Sequence, residues 1–354
     1  MIGAHYYPWY GKLANIIIGG GNWDSGTAHT PILGKYSSDN EEVIREHVRM
    51  AKSAGIDFFI LEWTGPGLWE DKIIRKHCIP VFESMQMPFC IMYDSYFTLH
   101  KTETDPTWDL SKKYDCRITK GMKMIEDFQY LLRTYFSHPL YFHIQKRPAV
   151  MVFLAYKYRD TQGLIKKLRT LEGMPEGGPF LIGDIISTYF SSKGHYNVSD
   201  ILSYLYNTSL SGIIKKINLK IYSGNHEEKS VLSELDAISG YNIIKTNGEI
   251  LENYKKSLQY LKKTSEMYHN VCIPFIFPGY DDTNLRGSRR ERHTIKRGNN
   301  GEFYRNIIKI AQKFVNPNIN LLILTSFNEW HEGTEIEPSK QYGDLFLNIT
   351  SDLT

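Results

Sequence analysis

Eight short apolar runs, set apart by longer segments of helical periodicity, constrain the fold of this chain more than any other feature. They fall at residues 1–6, 57–63, 88–94, 148–154, 179–185, 237–244, 271–277 and 321–327. Their hydrophobic residues mostly do not alternate with polar ones, the pattern of strands buried on both faces of a parallel sheet. Parallel neighbours need crossover connections, and the intervening segments can supply them. In 40–54, Val43, Val48 and Ala51 interleave with Glu41, Glu42, Arg45 and Lys52 before Gly55 ends the helical pattern. Strand and helix alternating in this way predict an α/β fold, a (β/α)8 TIM barrel. All 354 residues are expected to form one barrel domain, since no repeat, low-complexity tract or Pro/Gly-rich linker divides them. The pattern is weakest around 186–235, read as an insertion, where ILSYLYN at 201–207 competes with 237–244 for the sixth strand.

Charge and cysteine content narrow the range of partners. Lys plus Arg number 42 against 39 for Asp plus Glu, so the chain as a whole offers no electrostatic footprint for nucleic acid or an anionic membrane. The basic cluster at 286–297 is expected to be a solvated loop. Cys78, Cys90, Cys116 and Cys272 show no C-x-x-C spacing and are expected as reduced, mostly buried thiols. No apolar run approaches the roughly 18 residues of a membrane span, and the opening MIGAHYYPWYG lacks a charged and apolar leader. A cytoplasmic location is the resulting expectation, and sequons at Asn197, Asn207 and Asn348 would matter only in a secretory compartment.

In a barrel, chemistry gathers where strands end. Here the first run leads into Tyr6, Tyr7, Trp9 and Tyr10, the second into Glu62 and Trp63, and the third into Tyr93, Asp94 and Tyr96. The sixth reaches Tyr241 and Asn242, and the seventh Tyr280, Asp281 and Asp282. The eighth, LLILTSFNEWHEGTEIEP at 321–338, reaches Asn328, Glu329, Trp330, His331 and Glu332. Paired carboxyls can protonate a departing glycosidic oxygen and support the developing cation at carbon 1, while aromatic rings stack on sugar faces. His331-Glu332 lacks the second histidine of a zinc-protease H-E-x-x-H helix, and Gly333 would break such a helix. Rim carboxylates answered by arginine are the purely structural alternative.

These segments together resemble glycoside hydrolase family 99, the endo-acting α-mannosidases and α-mannanases. The likeness runs through YYPWYG at 6–11, LGKYSSDNEEVIREHVRMAKSAGIDFFILEWTGPG at 33–67, PGYDDTNLR at 278–286 and SFNEWHEGTEIEP at 326–338, the last being the most specific. The resemblance implies retaining endo-hydrolysis of α-mannosidic linkages in a mannose-containing oligosaccharide or polysaccharide, with no metal or other cofactor. It casts Glu329 as base toward the substrate's own 2-hydroxyl, which attacks carbon 1 to give a 1,2-anhydro sugar, and Glu332 as general acid and then base. Glu329 is accordingly expected ionised and Glu332 protonated near neutral pH. Tyr7, Trp63, Asp94 and Tyr241 resemble residues lining the sugar subsites, and Trp9, Tyr280, Asp281, Asn328 and Trp330 complete the candidate substrate contacts. Thr64, where relatives commonly carry a second aromatic, and Glu335, often Gln in relatives, depart from the pattern and bear on substrate preference. A glycan-binding barrel without turnover, or an enzyme transferring sugar to an acceptor during glycan assembly, are the rival functions.

Overall fold

The computed structural model describes residues 1–11, 23–99, 109–159, 161, 163–186, 231–243, 249–285, 292–298 and 300–353. The strands among them are β1 (Ile2–Tyr6), β2 (Phe58–Trp63), β3 (Phe89–Tyr93), β4 (His143–Ile144), β5 (Arg147–Val152), β6 (Phe180–Asp184), β7 (Ala237–Ser239), β8 (Val271–Cys272), β9 (Phe275–Ile276), β10 (Tyr280–Asp281), β11 (Thr294–Ile295) and β12 (Leu322–Leu324). The chain divides into two compact units, one of Met1–Asp94, His138–Phe142 and Ile273–Thr354, the other of Ser95–Ser137 and His143–Cys272.

In the first unit β3, β2, β1, β12 and β9 lie side by side, all parallel, with Gly3 opposite Phe58, Ile2 opposite Leu322 and Ile323 opposite Phe275. Every residue of β1, β2 and β3 is buried, which is why the runs read as continuous rather than alternating. Gly3 is required by this packing: a Cβ there would sit 2.3 Å from the Phe58 ring. Helix Glu41–Ser53 buries Ile44, His47, Val48 and Ala51, one stripe at helical spacing. Asn40 caps it by accepting the Glu42 N–H at 3.0 Å, and Gly55 leaves it at φ 72°. Burying Ile44 and Val48 contributes about 1.5–3 kcal/mol each.

The second unit holds β5, β6, β7 and β8 in parallel, with β4 antiparallel to β5. Its charges are answered: Arg147 makes a two-pronged pair with Asp236 at 2.7 and 2.8 Å, and Arg169 reaches the same carboxylate at 2.9 Å. Asp236 also accepts the Leu181 N–H at 2.9 Å, tying this cluster to β6.

Most expected strands occur near their predicted places, with instructive differences. The 237–244 run does pair as a strand, but only over Ala237–Ser239. Residues 201–207, the competing reading, and most of the expected insertion lie outside the described residues. The 271–277 run is two short strands, because Pro274 has no N–H to give a ladder; its carbonyl still accepts the Ile323 N–H at 3.1 Å. All four cysteines are free, three buried and Cys116 exposed.

Candidate active site

The last apolar run pairs only over Leu322–Leu324 and then folds back on itself. Ser326 N–H donates to the Thr334 carbonyl at 2.9 Å, Phe327 N–H to His5 at 2.8 Å and Glu337 N–H to Phe327 at 2.9 Å. Asn328 sews this loop to the exit of β1: its side-chain oxygen accepts the Tyr7 N–H at 2.7 Å and its amide donates to the Tyr7 carbonyl at 3.1 Å. The Tyr10 hydroxyl donates to the Asn328 carbonyl at 3.1 Å and accepts the Trp330 N–H at 2.9 Å. The Trp330 indole N–H lies 3.0 Å from Glu337 and 3.2 Å from the Tyr36 hydroxyl. Asn328 and Trp330 are thus fully buried fasteners of the loop, their polar atoms engaged with backbone, Tyr36 and Glu337.

Glu329 and Glu332 ride on this loop, 2% and 8% exposed. Glu329 is held at both ends, its N–H donating to Ser326 Oγ at 2.8 Å and its Oε1 accepting the His331 N–H at 3.0 Å. Its Oε2 is buried with no hydrogen-bond partner among the described residues. Near Glu332, the Tyr280 hydroxyl lies 3.5 Å from Oε1 and 3.3 Å from Asp282 Oδ2. Asp281 N–H donates to the Glu332 carbonyl at 2.7 Å, while the Asp281 carboxylate accepts from Thr283 N–H and hydroxyl at 3.0 and 2.6 Å. Gly333 permits this approach: at φ 57°, a Cβ would meet the Asp281 carbonyl at 3.0 Å. A cleft of about 190 Å³ flanks the loop, bounded by His29, Tyr280, Asp281, Arg297, Gly333 and Tyr342 among others.

The aromatic candidates divide by burial. Trp9 is half-buried, its ring 4.7 Å from that of Tyr7 and 6.0 Å from that of His331. Trp63 is fully buried, its indole N–H donating to Asp71 at 3.0 Å and its ring 5.9 Å from Tyr93. Tyr241 belongs to the second unit, where it is buried edge-on against Phe153 at 5.3 Å.

Acidic groups not singled out as site residues crowd the same unit. Glu62 and Glu70 are both buried, and Asp94, itself buried, follows Glu62's register partner Met92 on the neighbouring strand. Burial, then Asp94, Glu70 and Glu329, push Glu62 well above the usual carboxylate range. Burial also lifts Glu70 to about 7, against a 2.5 Å hydrogen bond from the Thr64 hydroxyl that favours its charged form. The sequence did hold a signal, since Glu62 is the single charge within the apolar strand FFILEW.

Behind the loop the acids are paired. Glu335 meets His29 at 2.8 Å and Arg297 at 2.9 Å, and Glu337 meets His47 at 3.2 Å and accepts the Tyr36 hydroxyl at 2.7 Å. Arg297 is buried under the rings of Tyr342 and Phe346, which corrects the solvated-loop expectation for that end of the basic cluster; residues 286–291 lie outside the described residues. Among the described residues no His, Cys, Asp and Glu group has the makings of a metal centre.

Residues 27–350 match the family described as glycosyltransferase WbsX. The chain belongs to this family. Its resemblance to glycoside hydrolase family 99 is also borne out. This WbsX-family chain is 26% identical over 329 residues to the human (Homo sapiens) glycoprotein endo-alpha-1,2-mannosidase-like protein, covering 92% of the chain and 61% of that protein. It is 24% identical over 331 residues to the mouse (Mus musculus) glycoprotein endo-alpha-1,2-mannosidase, covering 92% and 60%. The chain therefore spans about three fifths of the length of these relatives. The solved endo-alpha-mannosidase of Bacteroides thetaiotaomicron, a family 99 enzyme in complex with bis-tris-propane, superposes with TM-score 0.64 at 20% identity, covering 99% of this chain and 95% of that one. That likeness shows the fold, and the (β/α)8 expectation is borne out.

The cytoplasmic expectation is corrected. The mouse relative is named for action on glycoproteins, a secretory class of substrate, and this conflicts with a cytoplasmic location. The expectation had rested on the N-terminal residues, which carry no information on compartment when the chain spans only part of its relatives. No described helix is long and apolar enough to cross a membrane.

Proposed function

We propose that this chain is a retaining glycoside hydrolase that cleaves α-mannosidic linkages within mannose-containing glycans. The observation that carries the reading is the pair Glu329 and Glu332, two buried carboxyls on one braced loop after β12. Glu329 commits Oε1 to the His331 N–H, and among the described residues its Oε2 has no hydrogen-bond partner, which leaves that oxygen able to accept a proton from substrate. In the first step Glu329 takes the proton of the substrate 2-hydroxyl, O2 bonds to carbon 1, the glycosidic bond breaks, and Glu332 protonates the departing oxygen. In the second, Glu332 takes a proton from water as it attacks carbon 1, the O2–carbon 1 bond breaks, and O2 regains its proton from Glu329. Attack from within the sugar suits a weak nucleophile, because effective molarities of oriented intramolecular reactions reach about 10⁵ M or more. Half-buried Trp9 is the ring best placed to stack on a sugar, whereas Trp63 acts through packing and its bond to Asp71.

The names of the curated relatives and of the Bacteroides structure support this substrate class. A second reading, transfer of the sugar to an acceptor hydroxyl in place of water, is favoured by the family's description as a glycosyltransferase. Chromatographic analysis of products from an α-1,2-linked mannan or mannose-capped oligosaccharide, with and without added acceptor sugar, separates the two. Free shortened glycan in both reactions supports hydrolysis, and product formed only with acceptor supports transfer. Glycan binding with no product at high enzyme concentration would leave a binding barrel.

A further inference from the structure

Glu62 occupies a place that an apolar residue would fill at lower free energy, and its neighbours make the choice stranger. It is 1% exposed and lies opposite Met92 in the β2–β3 register, so that Asp94, two residues on, follows on the same side of the neighbouring strand. The Asp94 N–H donates to the Trp63 carbonyl at 3.1 Å, which anchors its backbone beside β2. Both carboxyls are buried, that of Asp94 bears on that of Glu62, and two carboxylates held side by side away from water repel each other, which favours one proton shared between them. The charges bearing on Glu62 are all acidic: Asp94 after β3, Glu70 from helix Trp69–Ile73 and Glu329 from the loop after β12. On the β1 side the titratable residues are Tyr7 and His5, the latter held neutral by burial with its pKa lowered to about 3. A hydrogen-bonded proton is the compensation this arrangement provides for crowded acids.

We propose that Glu62 is a positioning residue, whose carboxyl donates the shared proton to Asp94 and holds that carboxylate as a fixed acceptor for a sugar hydroxyl. The proposal rests on the α-mannoside reading of the site. It requires a donor at position 62, so an amide, which can donate, replaces the acid, and a hydrocarbon does not.

Two measurements on the full chain test it with the variants Glu62→Gln and Glu62→Leu. Infrared difference spectroscopy of wild type against Glu62→Gln at pH 8.5, above the pH near 7 where Glu70 titrates, is expected to show a protonated-carboxyl carbonyl band lost in the variant. A band unchanged by the substitution, or absent from wild type, overturns the shared proton whether or not the chain turns over mannosides. In hydrolysis of an α-mannoside, Glu62→Leu is expected to raise KM on the order of tenfold with a smaller change in kcat, and Glu62→Gln to restore KM to within about threefold of wild type. Equal KM for the two variants overturns the positioning role. Should wild type itself release no sugar, the mannosidase reading and with it the sugar-positioning role fall, while the infrared band decides the proton-sharing pair by itself.

Discussion

The two units treat acids withdrawn from solvent in opposite ways. In the second, Asp236 is gripped by Arg147 and Arg169 and by a backbone N–H, so its charge is answered from three directions. In the first, Asp94, Glu70 and Glu329 bear on Glu62, and burial drives Glu62 and Glu70 toward their protonated forms. An ion-pair cluster of the first kind fixes structure, whereas carboxyls forced apart in protonation state supply acid and base chemistry. Even inside the first unit the contrast recurs over a few residues, since Glu335 meets Arg297 at 2.9 Å and Glu337 accepts the Tyr36 hydroxyl at 2.7 Å, while His331 Nδ1 lies 3.4 Å from Glu329 Oε1 and Glu329 Oε2 has no hydrogen-bond partner among the described residues.

Substitution of the chemical pair should open the widest gap between the two kinds of acid. Glu329→Gln is expected to lower kcat/KM on the order of 10³-fold on both ordinary and activated α-mannosides, with melting temperature little changed. Glu332→Gln should match it on substrates with poor leaving groups and partly recover on activated ones, which need less protonation. Equal losses by both variants on both substrates would undo the assigned roles.

Asp236→Ala should do the reverse, costing about 3 kcal/mol in urea denaturation by leaving Arg147 and Arg169 unanswered. Loss below about 0.5 kcal/mol would show that solvent already screens this cluster.

Glu70 offers a test through pH. Its pKa is raised from 4.5 unfolded to about 7 folded, so folding takes up a proton between those values. Its contribution is fully present below about 4.5, is lost as pH rises through about 7, and is flat beyond. Glu70→Gln should therefore be stabilised relative to wild type at pH 8 compared with pH 4.5, by up to roughly 3 kcal/mol. Parallel stability curves for the two proteins would contradict the burial effect.

The smallest effect should come from the rim. Trp9→Ala is expected to raise KM about tenfold with kcat nearly unchanged, the loss of roughly one stacked ring. By contrast Trp63→Ala should cost about 3–5 kcal/mol of stability, as a core aromatic does. Urea melts and Michaelis–Menten kinetics on both variants separate the two rings.

Local patterning made much of the fold legible. β1, β2, β3, β5 and β6 fall within a residue or two of the apolar runs, because a strand buried on both faces writes its burial directly into sequence. The 326–338 motif singled out Glu329 and Glu332, and both are buried on the loop after β12. Which members of the motif fasten the loop was hidden: Asn328 sews to Tyr7, Trp330 to Glu337 and Arg297 to Glu335, and the first and last of these partners are distant in the chain. Polar residues at a strand end look alike in sequence, whether they face a sugar or a backbone amide. Glu62 was visible but undervalued, since its meaning depends on Asp94 arriving from the next strand.

Proton NMR of a hydrolysis reaction, recorded within the first turnovers of wild-type enzyme on an α-mannan oligosaccharide, puts the central claim to the most direct test. The first-formed reducing sugar should carry the α configuration and relax to the anomeric mixture only afterwards. A β anomer formed first, or no released sugar at high enzyme concentration, would contradict a retaining α-mannoside hydrolase built on Glu329 and Glu332.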